Sequence, residues 1–166
     1  VAYSAPLPVV DRRVKDVLGV STLLVAVSWA LPTVALPVVW ADAAFTPAAW
    51  VAFAFYLLQT AVAFEVRNVR DVAGDRAEGV TTLPVAYGIE TTRRVLYGVD
   101  AAAIACYAAA TATGVLPVPG GAAFSAATVA SMGVTAAVDT GRNDARVCLL
   151  RDANYALVCA VVATAA

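Results

Sequence analysis

Charge is absent from four long stretches of the chain, residues 17–41, 43–64, 101–138 and 153–166, and the polar residues gather between them. A helix needs about 20 predominantly apolar residues to cross the hydrocarbon of a bilayer, because it rises about 1.5 Å per residue against a thickness of about 30 Å. The first two stretches each suit one crossing. The third is nearly twice as long as one crossing needs, and Pro117, Pro119, Gly120 and Gly121 interrupt its middle, so it divides into two helices joined by a tight turn. The pattern predicts five spans, at about residues 17–40, 46–66, 95–116, 121–139 and 147–166. Pro32 and Pro37 fall late in the first, where they kink it or end it early. The fold class is all-α: a polytopic transmembrane helical bundle.

Composition fits that class and removes others. The chain is 61% hydrophobic and 14% charged, against about 45–50% and about 25% in soluble domains. Such a chain is neither disordered, collagenous nor a small disulfide scaffold, and its net charge of −1 excludes nucleic-acid binding driven by excess positive charge. It has no histidine, which takes the central residue from a His-based triad, a haem His ligand and the usual zinc centres. Cys106, Cys148 and Cys159 lack metal or redox spacing and read as small hydrophobes buried by packing. Trp29, Trp40 and Trp50 read as interface or packing residues, and Trp40 and Trp50 flank one short loop as an interfacial belt does.

The cations orient the bundle. Arg12, Arg13 and Lys15 precede the first span, five arginines lie between residues 67 and 94, and three lie between 142 and 151. With five crossings all three groups fall on one side, which the retention of Lys and Arg assigns to the cytoplasm. The opposite loops carry only Asp42 and the Pro-Gly turn.

The most polar stretch runs from Glu65 to Arg94. On a helix continuing out of the second span, Asn68, Asp71 and Asp75 lie at i, i+3 and i+7, within one face of about 60°, with Glu65 beside it. Two carboxylates and an amide oxygen at the membrane surface suit a hard cation such as magnesium or calcium, and magnesium commonly takes one or two carboxylates plus phosphate oxygens and water. The interleaved Arg67, Arg70 and Arg76 add groups that pair with phosphate. The same alternation also suits a solvated juxtamembrane helix with no ligand. Gly79 and Pro84 mark the exit from this helix, and the apolar segment 85–90 is too short to cross, which leaves a lid over the acidic face or a plain connector. Lys15, the only lysine, is placed with Arg13 to hold a phosphate if the N-terminal segment faces the same mouth.

The run from Asn68 through Asp71, Asp75 and Gly79 to Thr81-Thr82-Leu83-Pro84 resembles the second aspartate-rich motif of the UbiA superfamily of intramembrane prenyltransferases. Tyr3-Ser4-Ala5-Pro6 with the downstream Lys15 resembles the Tyr-Ser-x-Pro and basic segment of the same family. The resemblance implies about nine spans in two halves, with residues 1–166 the C-terminal half of one membrane domain. It implies Mg2+ as cofactor, an isoprenyl diphosphate and a hydrophobic aromatic or lipid acceptor as partners within membrane lipid, and no nucleic acid. Carried over residue by residue, Asp71 and Asp75 are metal ligands and catalytic groups, while Asn68, Arg70, Arg13, Lys15 and Tyr3 contact substrate. The family's first aspartate-rich motif has no counterpart here, because Asp11, Asp16 and Asp42 are the only acids before Glu65. The chain therefore reads as a segment of a longer protein, in keeping with its start at Val1, and is incomplete for activity alone. The alternative is a non-catalytic membrane segment that binds a polyprenyl lipid or a partner subunit. Asp100, the one acid well inside a span, is either functional or drawn to Arg94 near the interface. Asp139 and Asp152 read as interfacial partners of Arg142 and Arg151.

Overall fold

A computed structural model describes residues 18–138 together with Leu149, Asp152, Ala153 and Tyr155. The fifth expected span as a whole, Tyr3, Arg13, Lys15, Asp139, Cys148 and Cys159 lie outside the described residues. Among those described, the chain is a bundle of α-helices.

The first span is one rod of 21 residues, Val20–Trp40, made of α1 (Val20–Ala30), a π-helical turn (Leu31–Ala35) and α2 (Leu36–Trp40). Each proline removes an N–H donor and crowds the preceding turn. The helix accommodates Pro32 and Pro37 without ending, by widening so that the Leu36 N–H reaches the Leu31 carbonyl, a bulge of the kind that prolines induce. The Thr33 hydroxyl also donates to the Trp29 carbonyl at 2.6 Å.

Helix α3 (Pro47–Ala77) starts at Thr46, whose side chain accepts from the Ala49 N–H at 3.3 Å, with Pro47 in the first turn, where its missing donor costs nothing. A five-residue α4 (Leu83–Tyr87) precedes α5 (Ile89–Ala112), which packs on α6 (Val118–Ala137). Val20–Trp40, Pro47–Ala77 and Ile89–Ala112 are long and apolar enough to cross a membrane. The 20-residue α6 has a similar length, about 30 Å, but its Pro, Gly, Ser and Thr residues dilute its hydropathy.

Two boundaries differ from expectation. Helix α5 begins at Ile89, six residues before the expected span, because the break is Gly88 at φ +83° and the arginines beyond it simply continue the helix into the aqueous layer. Pro119, Gly120 and Gly121 belong to the first turn of α6, and the reversal occurs one step earlier, at Gly114 with φ +74°. Cys106 is exposed on α5, not buried; on a lipid-facing surface a small apolar thiol loses nothing by it. Leu23, Leu24, Leu36, Val39 and Val129 are also exposed, as outward faces in hydrocarbon are.

The core has an apolar half and a polar half. Phe55 of α3 stacks on Phe124 of α6 at 4.4 Å between ring centroids, and Tyr107 of α5 meets both rings edge-on. Next to them Asp100 is wholly buried. It accepts from the Gln59 amide at 3.1 Å and the Ser131 hydroxyl at 3.4 Å, and Gln59 also donates to Thr128. Asp100 is therefore not drawn to Arg94, which pairs with Glu90, and Asp152 pairs across the bundle with Arg67 at 3.1 Å. One carboxyl thereby joins three helices inside a low-dielectric interior where polar groups must find partners.

Gly121 sets how closely α5 and α6 approach. A Cβ built on it would lie 1.9 Å from Thr111 Oγ1 and 3.2 Å from Thr111 Cβ, and that hydroxyl is held by the Tyr107 carbonyl at 2.8 Å. Gly121→Ala is expected to destabilise the protein by about 1–3 kcal/mol in detergent unfolding, and Thr111→Ala should recover much of the loss; equal stability of Gly121→Ala and the parent would contradict the contact. Asp100→Leu is expected to cost about 1–3 kcal/mol in the same measurement, and Asp100→Asn less, because it keeps an acceptor for Gln59. A neutral Asp100→Leu would mean that the buried network contributes nothing.

Candidate functional site

Helix α3 has 31 residues and is therefore about 46 Å long, so roughly ten residues extend beyond about 30 Å of hydrocarbon. The apolar run ends at Phe64, and the projecting end is the polar segment from Glu65 to Ala77. Gly79, at φ +69°, then reverses the chain, and the Val80 N–H bonds back to the Asp75 carbonyl at 2.8 Å. This fold-back brings the Thr82 hydroxyl to the Asp75 carboxylate at 3.3 Å. The short α4 that follows packs on α3 and α5.

Between the start of α1 and the end of α3 lies a polar pocket of about 260 Å³. Ser21, Thr22 and Val25 form one wall, Phe64, Asn68 and Asp75 the other, and Glu78, Val80 and Thr82 close the outer end. Deeper along the same two helices is an apolar cavity of about 470 Å³, lined by Trp29 and Thr33 on one side and Tyr56, Thr60, Ala63, Phe64 and Arg67 on the other, with Asp152 and Tyr155. Phe64 lines both. The α1–α3 seam thus grades from carboxylates and hydroxyls at the surface end to a mostly aromatic and aliphatic lining within, at whose edge stands the Arg67–Asp152 ion pair.

The structure brings Asn68 and Asp75 together in the polar pocket. Asp71, about 40° further round the helix, does not line it. Its exposed carboxylate is gripped by Arg70 through two hydrogen bonds of 2.7 Å. That guanidinium holds Asp71 below the usual carboxylate range, with partial burial opposing it. Partial burial pushes Asp75 above that range, the Thr82 hydrogen bond opposing, and the nearby Asp71 and Glu78 charges add to the rise. Both groups stand on the projecting end of α3, outside the hydrocarbon.

Two contributors, Ser21 and Thr22, carried no signal of their own in the sequence, and the helical period puts Glu65 beside the acidic face without showing its partners. Ser21 and Thr22 sit in a charge-free span, and nothing local says that they face the acids. Glu65 is almost fully buried, at 4% exposure, and accepts from Thr22 at 2.5 Å and from Asn68 at 3.2 Å. Glu78 and Thr82 lie inside the motif already singled out, but only the reversal at Gly79 turns them inward.

The donors are all oxygen: the Asp75 and Glu78 carboxylates, the Asn68 amide and the hydroxyls of Thr22 and Thr82. Among the described residues no three acids or cysteines converge into a cage sufficient by themselves for a metal ion. A site with one or two carboxylates is what magnesium uses when phosphate oxygens and water complete its shell, so the donor set fits that ion together with a phosphorylated ligand. The model of the UbiA prenyltransferase family matches the chain over residues 1–158. No curated protein and no solved structure matches it.

Proposed function

The chain belongs to the UbiA prenyltransferase family, and from that membership we propose that the α1–α3 seam binds an isoprenyl diphosphate for Mg2+-dependent transfer to a hydrophobic acceptor. The carrying observation is the graded seam: a polar pocket and an apolar cavity that meet at Phe64. An amphiphile with an anionic head and a hydrocarbon tail matches that gradient, with the head at the bilayer surface and the tail inside. In this reading residues 1–166 are the C-terminal portion of one prenyltransferase domain, and the acidic end of α3 is cytoplasmic.

Asp75 and Asn68 would hold the head group's metal from the pocket wall, with Thr82 orienting Asp75. Arg70, paired here with Asp71, would contact a diphosphate oxygen, and Asp71 would be a further ligand of the metal. Arg13, Lys15 and Tyr3 add contacts to the diphosphate from the N-terminal segment. Held by these residues, Mg2+ would supply positive charge against the departing diphosphate. The allylic carbon–oxygen bond breaks with its electron pair leaving on that group. The acceptor then forms a bond to the allylic carbon and gives up a proton. Trp29, Tyr56, Ala63 and Phe64 keep water from the cationic carbon, which water would otherwise quench.

In the intact protein, Asp75→Asn is expected to lower turnover of an isoprenyl diphosphate about 100-fold or more, and Asp71→Asn about 10-fold or more, the scale of lost electrostatic stabilisation at a reacting group. Chelation should abolish turnover and added Mg2+ restore it. Unchanged turnover in Asp75→Asn would overturn the assignment, and tight binding of the diphosphate with no product from any acceptor would favour a lipid-binding role instead. Orientation has its own test. With the native cysteines replaced by alanine, Arg76→Cys should react with an impermeant maleimide only from the cytoplasmic face, and Ala44→Cys only from the opposite one; the reverse pattern would invert the bundle.

A further inference from the structure

Glu65 is a carboxylate in a place where carboxylates are costly, and no step above uses it. It lies one turn before Asn68 on α3, nearly closed off from solvent at 4% exposure. Each of its oxygens has a separate donor: Oε1 takes the Thr22 hydroxyl at 2.5 Å, and Oε2 takes the Asn68 side-chain amide at 3.2 Å. We propose that Glu65 is a positioning residue that turns the Asn68 amide so that its oxygen, not its nitrogen, faces the pocket shared with Asp75.

The chemistry of the partners fixes the sense of the amide. A carboxylate offers acceptors only, so the group that meets it must be the Asn68 NH2. With the nitrogen committed to Glu65, Oδ1 is the end left for the pocket that Asn68 lines with Asp75 and Thr82. The opposite orientation would aim two N–H dipoles at a cation and repel it. An amide oxygen also adds a donor without adding negative charge to a helix end that already carries Asp71, Asp75 and Glu78, where each further like charge weakens the helix. Thr22 anchors the other side of the carboxylate to α1, so one chain of hydrogen bonds runs from the first span to the Asn68 amide at the pocket wall. This is how outer partners orient metal ligands generally, and their removal typically costs about 10–100-fold in affinity.

The inference rests on reading this pocket as the divalent-cation and diphosphate site, and the test separates the two. The intact protein in lipid nanodiscs is titrated with Mn2+ in the presence of inorganic pyrophosphate, with free Mn2+ read by electron paramagnetic resonance. Asp75→Asn should weaken binding at least about tenfold; if it binds like the parent, the pocket itself is misassigned. Given that loss, Glu65→Leu and Asn68→Leu should each weaken binding about tenfold, and the double variant no further, because both remove the same oriented oxygen. Glu65→Gln should keep most of the affinity, since its oxygen accepts the same amide hydrogen while its NH2 meets the Thr22 oxygen. Asn68→Asp sets two carboxylates against each other and should bind worse than the parent. Adding Glu65→Gln to it should restore binding, because the new amide then donates to Asp at position 68. This recovery by a second substitution is not produced by a merely structural role, and it decides the matter even if Glu65→Leu does not fold. Additive losses, equal loss in Glu65→Gln and Glu65→Leu, or no recovery in the Glu65→Gln, Asn68→Asp pair would each overturn the proposal.

Discussion

Helix α3 is longer than a bilayer is thick, and the arrangement of the site follows from that mismatch. A span of about 20 residues satisfies the hydrocarbon, and the 31 residues of α3 leave a rigid polar extension that stays helical because its hydrogen bonds need no membrane. Asn68, Asp71 and Asp75 are carried on that extension and not on a loop, so their angular relation is set by helical geometry. The reversal at Gly79 then folds Glu78 and Thr82 back against the extension, and α1, lying alongside, supplies the opposite wall.

Polar groups hold the helices in register where apolar packing alone would let them slide. In lipid the surrounding tails are as apolar as leucine, so helix association relies on close packing and on hydrogen bonds between helices. Two carboxyls serve this purpose at different depths. Asp100 joins α3, α5 and α6 through Gln59 and Ser131, and Glu65 joins α1 and α3 through Thr22. Beyond Asp100, towards the end of the bundle away from Glu65, the Phe55, Tyr107 and Phe124 rings fill the interior and Gly121 lets α6 approach Thr111 of α5. The seam between α1 and α3 stays open enough to form cavities because its lining side chains are mixed: small at Ala63, bulky at Trp29, Tyr56 and Phe64.

The spans were legible wherever absence of charge and length agreed, as at residues 17–41 and 43–64. Their ends were less so. Hydropathy locates the hydrocarbon and is blind to a helix that continues into water, so both α3 and α5 outrun the apolar stretches that announced them. Prolines were informative only in part: Pro32 and Pro37 are absorbed by a π-helical turn without ending the helix, whereas the division expected at residues 117–121 is present but begins a few residues earlier, at Gly114. At the site, the 3.6-residue period was enough to put Asn68 and Asp75 on one face. It did not show that Asp71, only slightly off that face, would turn to its neighbour Arg70. The contribution of Ser21 and Thr22 depends on which face of α1 meets α3, a tertiary fact with no local signature, and the same is true of the partners that make Glu65 affordable in the interior.

The central claim is that the seam between α1 and α3 receives an amphiphile head outward and tail inward. An isoprenyl diphosphate analogue with a diazirine at the end of its tail, photolysed in the intact protein and mapped by mass spectrometry, tests this most directly. The label is expected on Trp29, Thr33, Tyr56 or Thr60, and excess inorganic pyrophosphate with Mg2+ should compete it away. Label confined to the outward residues Leu23, Leu24 and Val129, and indifferent to pyrophosphate, would contradict it.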